Sequence, residues 1–271
     1  MTRPADRSAL LATALRSPDA TAAHDRTAWL NLFTDDGTVI DPVGSRPHRG
    51  RDALGKFYDT FIAPREIAFS SDADVVSGQS VYRDVTLAVR LATSVTIDVP
   101  AILRYDIAVD QDALRVSQLR AYWELSPMIG ALVRNGLAAV PVAVALSAAM
   151  LRNQGVAGTG GFLTAFRRPG HHAVDTLREL IEGASTSEHQ IAGRTVESSV
   201  PTTVNGRLLD SATELVAALD NARGRKYIAA GTTVAAVLDH DQWTGFIFAE
   251  FNRSTPTSLA VVTEPRRTPT S

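Results

Sequence analysis

The sequence predicts an α+β protein made of two cone-shaped units in tandem, each a curled antiparallel sheet with helices on its concave face. Three observations lead there. Apolar residues recur at helical spacing up to about residue 62 and then alternate with period two to about residue 125. The same order of helix, hairpin, helix and sheet returns after residue 161. The chain has 271 residues, enough for two small domains.

The first unit, residues 1–126, opens with two amphipathic helices. Leu10, Leu11, Ala14 and Leu15 mark one face, and "HDRTAWLNLF" continues it with Ala28, Trp29, Leu32 and Phe33. "TDDG" breaks the helix, "TVIDPV" reads as a strand, and Gly44-Ser45 offers a hairpin turn before "RPHRG". A third helix, "RDALGKFYDTFI", puts Leu54, Phe57, Tyr58, Phe61 and Ile62 on one face and ends at Pro64. Four β-rich runs follow, from "EIAFSSDADVVSG" to "LRVSQLRAYWEL", separated by short polar turns. A curled sheet with helices across its concave side encloses a conical cavity.

Residues 127–161 form an apolar helical linker. Within it, Asn135 to Leu151 is apolar almost throughout, but it is short of the roughly 20 residues a span requires and is interrupted by Pro141. It reads as buried protein. Gly155 to Gly161 lack the preceding strand and the spacing of a dinucleotide loop and read as flexible linker. The second unit, residues 162–271, is a degenerate copy. It has a helix in "HHAVDTLRELIEGA", a short one in "EHQIAGR", an Asn-Gly hairpin in "VPTTVNGRLLD", a helix in "SATELVAALDNA", and a closing meander.

Composition narrows the function. A net charge of −2 and a pI near 6.3 give no basic field for nucleic acid. The absence of cysteine excludes thiol nucleophiles, disulfides and cysteine-bound metals. His171 and His172 have no third ligand at metal-like spacing, so no metal and no other cofactor is expected. The N-terminus lacks a continuous apolar core, which points to a cytoplasmic protein. His48, in a positively charged hairpin return, reads as exposed.

Asp41 is the residue that asks for a role. It lies among Val39, Ile40 and Val43, where a carboxylate either caps a turn or sits in an apolar pocket that raises its pKa. The stretch "LFTDDGTVIDPVGSRPHRGRDALGKFY", with "LRYD" and "LRAYW" at the far end, resembles the ketosteroid isomerase branch of the superfamily that includes nuclear transport factor and the SnoaL-like polyketide cyclases. The resemblance covers about residues 10–125. It implies that Asp41 is a general base moving a proton beside a ketone. It also implies that Tyr58, Phe57 and Trp123 line the pocket.

The family's two oxyanion donors are absent. Its acidic donor falls on Ala101, which would line the pocket, while Asp98, three residues earlier, turns to the other face. Its first-helix tyrosine falls near Ser17, and no tyrosine precedes Tyr58. In the second unit the Asp41 position falls near Thr202 or Thr203 and has no carboxylate. Three functions follow. The first is an enzyme that binds a hydrophobic small molecule, such as a steroid, polyketide or terpenoid, and catalyses isomerisation or cyclisation without the usual oxyanion donors. The second is a non-catalytic lipid or steroid binder using the same pocket, with residues 135–151 as a lid or wall. The third is a scaffold using its open sheet. The expected assembly is a monomeric pseudo-dimer or a homodimer.

Overall fold

The computed structural model describes residues 6–92, 95–124, 169–170, 172–185 and 200–266. The linker at 127–161, the apolar run, the glycines 155–161, the helix expected in "EHQIAGR" and His171 lie outside the described residues. The chain divides into two compact units.

In the first unit, α1 (Arg7–Ala22) contacts the sheet and buries Leu10, Thr13, Ala14, Ser17, Ala20 and Thr21. Three of these six are polar, and the buried face is offset from the Leu10, Leu11, Ala14, Leu15 stripe. Thr13 satisfies itself by donating to the Ala9 carbonyl one turn back. Helix α2 (Arg26–Asn31) starts at Asp25, whose carboxylate accepts the Ala28 N–H. It delivers Trp29 into the core at 1 % exposure. Helix α3 (Arg51–Phe57) runs into a π turn (Tyr58–Ile62).

Strand β1 (Phe33–Ile40) begins earlier than the sequence suggests. "TDDG" is inside it as an irregularity, where the pairing register jumps between Phe33 and Thr38. Gly37 permits the kink, because a Cβ there would be 2.8 Å from the Phe33 Cβ and 2.9 Å from the Thr34 carbonyl. The strand ends before Asp41, so the acid lies on a turn and not within the strand. Short β2 (His48–Arg49) pairs with β1, and His48 is half-buried against Phe57, 5.1 Å between rings, instead of exposed.

Strands β3 (Glu66–Ser77), β4 (Ser80–Ala92), β5 (Val95–Asp110) and β6 (Ala113–Tyr122) complete a sheet of order β2-β1-β6-β5-β4-β3. The β4-β5-β6 part of the expected meander is antiparallel, but β1 runs parallel to β6, so the sheet is mixed. Alternation along β5 fixes its two sides. Val95, Ile97, Val99, Ala101, Leu103 and Tyr105 are buried on one side, the side α1 contacts, while Thr96, Asp98 and Pro100 are exposed on the other.

The second unit has α4 (Ala173–Ser185), β7 (Thr202–Val204), β8 (Arg207–Leu208), α5 (Ala212–Leu219), β9 (Arg223–Ala230), β10 (Thr233–Asp239), β11 (Trp243–Asn252) and β12 (Thr255–Pro265). Asn205 and Gly206, at φ +49° and +80°, make the expected hairpin turn. The order β8-β7-β12-β11-β10-β9 repeats the first sheet.

The repeat extends to single hydrogen bonds. Ser80 stands opposite Asp106, as Thr233 does opposite Glu250, and each hydroxyl donates to its carboxylate at 2.6 Å. Immediately after both acids the ladder slips. Ser117 and Thr257 close the two slips by donating to the carbonyls of Asp106 and Glu250, at 3.0 and 3.2 Å.

Candidate functional site

Asp41 and Pro42 form the start of a turn in which the Ser45 N–H donates to the Pro42 carbonyl at 3.0 Å. Proline has no N–H, so Val43 donates instead to the Ala121 carbonyl of β6, at 2.8 Å. Across the gap, Trp123 follows β6 and its indole Nε1 donates to Asp41 Oδ1 at 2.6 Å. The Asp41 residue is half-buried. Burial pushes its pKa up to about 6, with the Trp123 bond pulling the other way.

Cross-strand register locates the neighbours on the helix-facing side. One row reads Val39, Leu119, Tyr105 and Val81; the next contains Ala121, Leu103 and Arg83. Continuing the β5–β6 ladder by one residue sets Trp123 beside Ala101, which is fully buried, while Asp98 is exposed on the opposite face. Tyr58 and Phe57 pack on Trp29, with ring centroids 5.4 and 6.0 Å away. The Tyr58 hydroxyl is buried with no hydrogen-bond partner among the described residues, and its charged neighbours are Asp25, Arg26 and Asp59.

Two residues near Asp41 escaped the sequence reading. Tyr105 is 1 % exposed; burial raises its pKa, a hydrogen bond shared with Ser17 lowers it, and the charges of Arg83 and Asp41 both act on it. Arg83 is 4 % exposed and donates Nε to Asp74 Oδ1 at 2.7 Å. The signal was present. In "VYRDV", Arg83 alternates with Val81 and Val85, which period two puts on one face.

The second unit has an apolar core at these positions. By ladder register Tyr105 corresponds to Ala249, Arg83 to Ala236, Trp123 to Thr263, and Asp41 to Val204, one residue beyond the expected Thr203. Ala236 and Ala249 are fully buried with Leu177, Ile181 and Leu215. The unit's polar cleft lies elsewhere, at Arg223, Asp239, His240 and Arg266. There Asp239 already pairs with Arg225 and Arg266.

Residues 14–114 match the family model of the SnoaL-like domain, so the first unit carries a domain of that kind, as the sequence resemblance implied. No curated protein matches the chain. Among solved structures, RV0760c from Mycobacterium tuberculosis is 25 % identical over 45 % of this chain and 96 % of its own, with a TM-score of 0.41. A Δ5-3-ketosteroid isomerase from Mycobacterium sp. is 27 % identical over 43 % of this chain and 94 % of its own, with a TM-score of 0.39. A computationally designed 17-OHP binder is 25 % identical over 43 % of this chain and 94 % of its own, also with a TM-score of 0.39. No helix among the described residues is long and apolar enough to cross a membrane.

Proposed function

We propose that the first unit binds a hydrophobic small molecule beneath its helices and that Asp41 takes a proton from it as a general base, the chemistry of double-bond isomerisation. The observation that carries this reading is the Asp41 carboxylate itself. It is half-buried, held by one indole N–H, and shifted to a pKa of about 6. An acid that ionises just below neutral pH is basic enough to accept a proton and still ionised enough to be ready. Ala101 and Trp123 flank the acid, and Phe57 and Tyr58 supply apolar wall from α3 and the π turn that continues it.

A steroid is the substrate class to test first, because the Asp-Pro turn and the "AYW" strand end resemble the isomerase branch. A 5-ene-3-ketosteroid is offered, and formation of the conjugated enone is followed by absorbance. The native protein should convert it, and Asp41→Asn should lose about 100- to 10,000-fold in rate. Full turnover by Asp41→Asn would overturn the assignment of the base.

Binding without catalysis is the second reading, favoured by the apolar Ala101 and the exposed Asp98. A tight steroid complex in thermal-shift titration, with no enone formed, would select it.

A further inference from the structure

We propose that the first unit seats an acceptor oxygen of its ligand, a ketone or enolate oxygen, between the Tyr105 hydroxyl and Nη1 of Arg83. The inference rests on reading this face as a ligand site and adds the polar group that the ligand must carry.

Arg83 supplies the first reason. Its Nε is satisfied by Asp74, but its Nη1 is buried with no hydrogen-bond partner among the described residues. An unpaired cationic N–H in a side chain 4 % exposed is costly, and a ligand oxygen would relieve that cost. Arg83 stands two residues along β4 from Val81, the direct partner of Tyr105. Such diagonal neighbours are about 7–8 Å apart at the backbone, within reach of a phenol and a guanidinium. Tyr105 feels the charges of both Arg83 and Asp41, so the three groups share one electrostatic neighbourhood on the helix-facing side.

The second unit supplies an independent reason. It builds the same ladder with Ala236 and Ala249 at the two positions, both fully buried in its apolar core. The fold therefore has no need of a guanidinium or a phenol there. By contrast, the cross-strand polar pairs of the ladder, Ser80 with Asp106 and Thr233 with Glu250, are present in both units. Polar groups that serve the sheet recur, and of the two units the Arg83–Tyr105 pair belongs to the one that also holds Asp41.

The test compares 1-tetralone with tetralin, which share a bicyclic frame and differ by one carbonyl, in ligand-observed NMR titrations of the full chain. The native protein should prefer the ketone at least tenfold. Tyr105→Phe and Arg83→Lys should each reduce that preference at least fivefold while leaving tetralin affinity unchanged. Tyr105→Phe keeps the ring and decides alone if the lysine variant does not fold by circular dichroism. The proposal is overturned if the native protein shows no preference, binding neither probe included, or if Tyr105→Phe or a folded Arg83→Lys retains the preference. Because no turnover is measured, loss of the Asp41 assignment would leave this result standing, and the reverse also holds.

Discussion

The two units share a sheet order, a ladder slip and a closing hydroxyl, yet one carries a half-buried carboxylate, a phenol and a guanidinium where the other buries alanines. Ser117 and Thr257 are held at equivalent places because the slip after Asp106 and Glu250 would otherwise leave a backbone carbonyl unpaired, and Ser80 and Thr233 bind the two acids in the same way. Asp41, Trp123, Tyr105 and Arg83 have no such structural duty, since Val204, Thr263, Ala249 and Ala236 stand in their places in a sheet of the same topology. The difference separates the residues that make this fold from the residues the fold carries.

The most severe way to press that contrast is to move a site residue across. Ala236→Arg puts a guanidinium into a fully buried position of the apolar cluster that contains Leu177 and Ile181. It should destabilise the second unit by about 4 kcal/mol or more in urea denaturation. A loss below about 1 kcal/mol would show that the core there is not closed.

Asp41→Asn should act in the opposite direction on stability. The folded pKa of about 6 lies above the ordinary 3.8, so between those values the folded state binds more proton than the unfolded state. Stability therefore falls as pH rises through that window, and above it the ionised acid costs up to about 3 kcal/mol. The asparagine variant should be more stable than the native protein by up to that amount at pH 8, with the gain nearly gone by pH 3.5. The rate of any proton transfer should rise with pH along a limb centred near 6.

Trp123→Phe removes the donor that favours the ionised acid. The same limb should move to higher pH, and stability at neutral pH should drop by about 1–3 kcal/mol. An unmoved limb would show that the indole does not set the acid's basicity. The smallest effect is expected at Tyr58→Phe. Deleting a buried hydroxyl that has no partner among the described residues should change the unfolding free energy by about −0.5 to +0.5 kcal/mol, or stabilise slightly more.

The helices, the hairpin, the meander and the repeat are legible in the sequence because each has its own periodicity. The bounds of β1 are not, since "TDDG" has the composition of a break and only the close approach of Gly37 to Phe33 turns it into a kinked strand. The faces of Ala101 and Asp98 follow from counting residues along β5. Tyr105 and Arg83 are harder to see, because their meaning depends on partners contributed by other elements. Ser17 comes from α1 and Asp74 from β3, and no local pattern joins them.

Pro42 gives the contrast a genetic form. In the second unit the ladder runs on through Val204, and Asn205 makes the bond to the Val261 carbonyl. In the first, that bond waits one residue longer, for Val43, and the hairpin connection has seven residues, 41–47, against two, 205–206. The presentation of the acid thus goes with a longer connection, in which Pro42 is the residue that delays the bond. Deleting Pro42 should draw the first unit's strand end into the register of the second and return the carboxylate to the pleat.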